Sequence, residues 1–207
     1  ILILLPDGVG LKNFVFSKIP GELTKKNFSF SYWNGTPFNF EQTDYHQIPL
    51  NGKPSPISDI YKRVRKKLEI SKFIDRTGNL SYQSYLFKPS NNTLKQLVKS
   101  SFVSILEFRF KNNLNKLRER LKQSESKTDY FNKCLKQLKN NSIKLLVVSN
   151  QRAINAVAPV EAAKKLNIPT VSLIFSWDNL PKATMVVETD YYMVWSDYMK
   201  RELLAYY

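Results

Sequence analysis

Three stretches decide the fold: IKLLVVSNQ at residues 143–151, IPTVSLIFSWDN at 168–179 and DYYMVWSD at 190–197. In each, a mostly apolar run stops at a small polar cluster: Ser149-Asn150-Gln151-Arg152, Ser176-Trp177-Asp178-Asn179 and Ser196-Asp197. Runs that are apolar on both faces read as parallel strands buried between helices, whereas half-exposed strands alternate. The chain opens the same way, with ILILL followed by Pro6-Asp7-Gly8-Val9-Gly10. Four strand ends therefore offer polar or glycine-bearing loops to the carboxyl edge of the sheet, where ligands of such sheets bind.

Between the first two stretches, Pro159 to Leu166 reads as a helix with proline in its first turn, and Asn167 as its stop. The succession strand, helix, strand, irregular crossover, strand, helix predicts an α/β fold: a doubly wound, mainly parallel sheet with helices on both faces. Nearer the amino terminus, a helix is expected near residues 11–19, a second strand at Phe28–Trp33 and a third at Tyr45–Leu50. Residues 34–56, with their glycines and prolines, are loop-like and contain the only histidine, His46.

From about residue 57 to 140 the period becomes helical. Ile57, Ile60, Tyr61, Val64 and Leu68 form one stripe, and the other face carries Lys62, Arg63, Arg65, Lys66 and Lys67. A second helical region, from about Asn92 to Gln123, puts Leu94, Leu97, Val98, Ile105 and Leu106 on a core stripe that Leu114, Leu117 and Leu121 continue. Its edges carry Lys95, Lys99, Arg109, Lys111, Lys116, Arg118, Arg120 and Lys122. A third helix is expected near Thr128 to Leu138, and all three elaborate one domain spanning residues 1–207.

Hydrophobic residues at 43% and aromatics at 13% exclude a mainly disordered chain. A single cysteine, Cys134, excludes an internal disulfide framework and cysteine-based metal sites. Its helical spacing from Phe131, Leu135 and Leu138 makes it a core residue. No apolar run approaches the roughly 20 residues that span a bilayer. The single cysteine points to a reducing compartment; the five apolar residues at the start are too few for a signal peptide, and a start without Met, directly inside a strand, leads to the expectation of a trimmed chain. The net charge of +15 favours anionic partners such as phosphorylated substrates, an anionic membrane surface or nucleic acid.

Asp7-Gly8-Val9-Gly10 sits on a strand-to-helix turn but lacks the third glycine of a dinucleotide fingerprint. A carboxylate at Asp7 repels phosphate and suits proton abstraction or binding of a sugar hydroxyl, with Gly8 and Gly10 as candidate substrate contacts; a purely structural turn is the alternative. Asn150, Gln151 and Arg152 can bind hydroxyls, carboxylates or phosphate, or Asn150 can cap a helix. Trp177 beside Asp178 and Asn179 offers an aromatic plane with two hydrogen-bonding side chains, as sugar sites do; alternatively Trp177 is core and Asp178 a cap. His46 suits acid–base work near neutrality. Tyr191, Tyr192 and Trp195 are expected to pack on the sheet. No nucleophile elbow, P-loop, zinc spacing or paired catalytic histidines is present.

The segment VSLIFSWDNLPKATMVVETDYYMVWSDYMKREL, residues 171–203, resembles the end of the amino-terminal half of bacterial GT-B glycosyltransferase-like proteins of surface-carbohydrate biosynthesis, and ILILLPDGVGLKNF resembles their first strand and loop. The resemblance implies a Rossmann-like, acceptor-binding half of a two-domain enzyme. It implies a donor-binding carboxyl half outside this chain, and the fragment alone is then expected to be inactive. It implies a nucleotide-sugar donor as substrate, a glycan or lipid-linked acceptor, no cofactor and no required metal. An inverting enzyme needs a base: Asp7 matches by position, His46 and Asp178 by chemistry; a retaining one does not. The implied location is cytoplasmic, with the cations at 62–67 and 95–122 either lying against the anionic inner membrane face or holding a lipid-diphosphate acceptor. A basic nucleic-acid-binding module is the competing class, disfavoured because no recognition motif accompanies the cations.

Overall fold

A computed structural model describes residues 1–40, 45–86 and 93–207, apart from the side chain of Lys95. Among these, six strands form one sheet: β1 (Leu2–Leu5), β2 (Ser31–Asn34), β3 (Gln47–Pro49), β4 (Leu146–Val148), β5 (Thr170–Leu173) and β6 (Tyr191–Met193). Their spatial order is β3-β2-β1-β4-β5-β6 and every neighbouring pair is parallel. This is a Rossmann-like, doubly wound α/β fold. The helices are α1 (Ile19–Lys25), α2 (Ser58–Thr77), α3 (Leu94–Phe110), α4 (Leu114–Glu125), α5 (Asp129–Asn140), α6 (Val157–Lys165) and α7 (Asp197–Tyr206).

The chain winds outward from β1 to β3, returns to the other flank of β1 with β4, and winds outward again to β6. Because crossovers are right-handed, the two directions put their helices on opposite faces. On one face α5 and α6 pack against Leu2, Leu4, Trp33, Leu146 and Val148. On the other, Ile3, Leu5 and Tyr32 pack with Phe14, Val15 and Phe40. That second cover ends early: Val147 and Leu173 are half-buried, and Tyr191 and Met193 are exposed. Of the aromatics expected to pack here, only Tyr192 does so, against α7; Trp195 is exposed and donates its indole N–H to the Ile174 carbonyl at 2.7 Å.

Element ends follow local chemistry. Thr128, Ser196 and Asn113 accept backbone N–H groups as amino-terminal caps of α5, α7 and α4, and Gly78, at φ 69°, closes α2. Asn167, at φ 55°, follows α6 as the sequence predicts. Cys134 is buried in the core, where burial pushes its thiol pKa up to about 12.

Two helical expectations are corrected. Residues 8–10 form a 3₁₀ turn and 11–15 a π-helical turn, and α1 begins only at Ile19, with Pro20 in its first turn. The region expected from Asn92, which lies outside the described residues, breaks after Phe110 into α3 and α4. Leu117 and Leu121 of α4 are buried, but the inward residues of α3 are Val103, Phe110 and in part Leu106, while Leu94, Leu97, Val98 and Ile105 are exposed. Helix α3 is apolar on two sides, so periodicity cannot choose between them. Ion pairs from α2 orient it: Asp59 with Lys99 at 2.6 Å and Lys67 with Glu107 at 2.8 Å.

Candidate functional site

The winding reverses between β1 and β4, and the site lies beyond their carboxyl ends. Register pairs Leu4 with Val148, so the two exit loops run side by side. Asp7 caps the 3₁₀ turn, its Oδ1 accepting from the Val9 N–H at 3.1 Å, while its Oδ2 accepts from the Asn150 side-chain amide at 2.7 Å. Asn150 is buried, and its Oδ1 accepts from the Arg152 backbone N–H at 3.1 Å. A Cβ on Gly10 would lie 2.6 Å from Ser149 Cβ, so Gly10 serves close packing of these loops. Gly8 is exposed and a Cβ there makes only ordinary contact, 3.9 Å from Phe38.

A cleft of about 410 Å³ opens at this point. Asp7, Asn150 and Arg152 line it from the strand ends, Asp59, Lys62, Arg63 and Lys66 from α2, and Lys182 to Thr184 from the loop after β5. The Lys62 ammonium donates to the Arg152 carbonyl at 3.0 Å, and the Arg152 guanidinium stacks over Phe175 at 4.4 Å. Arg63 donates to Asp59 at 3.1 Å. Five cations thus face two carboxylates. Burial lowers the Lys66 pKa, and Lys182, Lys62 and Arg152 lower it further by repulsion. Burial also lowers that of Lys62, with Arg152 and Arg63 adding to the effect and Asp59 and Asp7 opposing it. An anion entering the cleft reverses the repulsive part.

Sequence reasoning missed Lys182 and Asp59. A signal existed for Lys182, which stands four residues after Asp178. The Asp178 carboxylate accepts from Lys182 Nζ, from Ser176 Oγ at 2.6 Å and from the Asn179 amide at 3.0 Å. These bonds, Lys182 first, pull its pKa down to about 2. Such a carboxylate is a weak proton acceptor, and its geometry suits holding Lys182 toward the cleft.

The remaining candidates separate. Gln151 and Asn179 are fully buried and bonded to each other, Nε2 to Oδ1 at 2.7 Å, and tie the loops together without lining the cleft. Trp177 is neither core nor cleft lining but exposed. His46 precedes β3, at the amino edge of the sheet, with Nδ1 3.2 Å from Oγ of Ser31, the first residue of β2; the fold does not bring it to the cleft. The α2 cations also part company. Lys67 pairs with Glu107. Arg65, expected among the cations that meet a membrane or an anionic acceptor, is only 3% exposed, because it bonds Glu69 at 2.6 Å and the Val186 carbonyl at 3.0 Å and lies 3.6 Å from Glu188.

Among the described residues, no group of three His, Cys, Asp or Glu side chains could hold a metal ion, and no helix is long and apolar enough to cross a membrane. No family model, curated protein or solved structure matches the chain. What the cleft can do has to be read from its own chemistry.

Proposed function

We propose that the switch-point cleft binds an anionic, phosphate-bearing acceptor and that the chain is the acceptor-side half of a GT-B-type glycosyltransferase of surface-carbohydrate synthesis, working in the cytoplasm with its nucleotide-sugar donor bound by a second domain. One observation carries this: Asp7, fixed by Asn150, borders a cleft whose cations outnumber its carboxylates. The cations neutralise the acceptor's phosphate and bring its hydroxyl to Asp7. Each Asp7 oxygen keeps a lone pair beyond the bond it already accepts, so the carboxylate can take the hydroxyl proton. As it does, the acceptor oxygen bonds to the anomeric carbon, and the bond from that carbon to the nucleoside diphosphate breaks, with the diphosphate carrying away the electron pair. The retaining alternative has no use for this base. Five cations gathered on one cleft of about 410 Å³ suit a small anionic ligand.

The test has two parts. Calorimetric titration of the chain with inorganic pyrophosphate should show binding that Lys66→Gln with Lys182→Gln weakens; no binding at low salt removes the anion site. The complete protein, incubated with a panel of nucleotide sugars and glycosyl phosphates, should transfer sugar in a reaction that Asp7→Asn suppresses. Transfer unaffected by Asp7→Asn removes Asp7 as the base.

A further inference from the structure

Helix α3 turns an apolar strip to solvent. Its inward residues Val103 and Phe110 pack with Val64, Leu68 and Leu117. On the opposite side, Leu94, Val98, Ile105 and Phe108 are 78%, 63%, 62% and 74% exposed. At 3.6 residues per turn these four share one face, which runs most of the roughly 25 Å that 17 helical residues span. Single exposed apolar side chains are ordinary; four on one helix face, interrupted at its centre by Ser101, mark a surface that something covers.

The charges around the strip select the occupant. From Thr93 to Asn113 the sequence has four Lys or Arg residues and one acidic residue, Glu107, and that carboxylate is paired with Lys67. Arg109 and Lys111 are exposed at the end of the strip, with Lys111 Nζ 5.0 Å from the centre of the exposed Phe108 ring. An apolar strip edged by cations and by no unpaired acid is complementary to a surface whose interior is hydrocarbon and whose rim is phosphate, and the net charge of +15 supplies a long-range attraction to it. The inner flank of α3 reaches the cleft, because its Lys99 bonds Asp59, which lines the cleft wall.

We propose that the outer face of α3 inserts into the headgroup region of an anionic phospholipid bilayer and seats the protein on it. The seating depends on the strip and its cations and holds whether or not the cleft belongs to a transferase.

The experiment is co-sedimentation of the chain with vesicles of phosphatidylcholine alone and of phosphatidylcholine mixed with phosphatidylglycerol. The chain should partition onto the mixed vesicles, with salt weakening the binding. Ile105→Glu with Phe108→Glu, both at exposed positions, should leave the melting temperature unchanged and lower the partition coefficient by about tenfold or more. Lys66→Gln with Lys182→Gln, which disables the cleft, should partition nearly as wild type, so failure of the acceptor reading and failure of the seating are separable. Undiminished partition of the α3 variant, or no binding at low salt, overturns the proposal. So does a wild-type dimer in sedimentation velocity that the α3 variant dissociates, because a second copy then covers the strip.

Discussion

Asn150 donates its side-chain amide to Asp7 Oδ2 at 2.7 Å, joining the loops that leave β1 and β4 at the point where the sheet reverses its winding. Because Asn150 is buried and its own carbonyl is held by the Arg152 backbone, the Asp7 carboxylate has a fixed bearing relative to the cleft. Asp7→Asn keeps the shape and removes both the base and a negative charge. Transfer should therefore fall by about 10²–10⁴-fold, the usual worth of a positioned base, while affinity for pyrophosphate stays level or rises. A parallel loss of both would show that Asp7 serves binding.

The cleft lysines predict a pH dependence. Lys62 and Lys66 titrate below the ordinary lysine value of 10.5 in the folded chain. Between those lowered values and 10.5 the unfolded chain binds more protons, so this pair's contribution to stability rises with pH through that window and its destabilising effect is fully present below it. A bound phosphate opposes the repulsive part at neutral pH. Melting temperature at neutral pH should rise with phosphate more than with chloride of equal ionic strength, and Lys66→Gln should shrink the difference.

The strands and the switch point are legible in the sequence because runs such as LLVV and TVSLIF need cover on both faces, even though Val147 and Leu173 find only half of it on the second, and each run stops at a polar residue. What is illegible depends on partners distant in sequence. Nothing local distinguishes Arg65 from Lys66, yet Glu188 and the Val186 carbonyl claim the first while Lys182 and Arg152 face the second. The SWDN cluster is visible as polar, but it divides into exposed Trp177, a carboxylate that holds Lys182, and an Asn179 buried against Gln151 of a neighbouring loop.

The two glycines of the first loop should behave differently. Gly10→Ala drives a methyl group into Ser149 and should destabilise the fold by about 1–3 kcal/mol, as overpacking does. Ser149→Gly should recover much of that loss by clearing the contact. Gly8→Ala should be close to neutral in stability, since only Phe38 approaches. Urea denaturation of the three variants checks this; equal losses at both glycines would mean that the loop requires glycine for another reason.

The buried network around Arg65 should be the most sensitive polar feature of the fold. Arg65 bridges Glu69, Glu188 and the Val186 carbonyl, while the Val186 and Val187 N–H groups both donate to the Gln151 carbonyl. One guanidinium thus ties α2 to the segment that continues from the Lys182–Thr184 wall of the cleft. Arg65→Met leaves Glu69 to Arg118, at 2.9 Å, and Glu188 to Lys122, at 2.8 Å, and orphans the Val186 carbonyl. Breaking a buried pair from one side costs about 3–5 kcal/mol, a large share of the roughly 5–15 kcal/mol that stabilises a domain. The surface pair Lys67–Glu107 is the control, since Lys67→Ala should cost no more than about 1 kcal/mol. Acid should act on the same network. Burial pushes Glu188 up, but Arg65 and Lys122 outweigh it and hold the carboxyl below its ordinary value of 4.5. Its stabilising contribution is therefore present above 4.5 and is lost as pH falls through that lower value. Arg65→Met should lower the urea midpoint, flatten this acid dependence and weaken pyrophosphate binding through the displaced wall, and a loss no larger than that of Lys67→Ala would refute the tie.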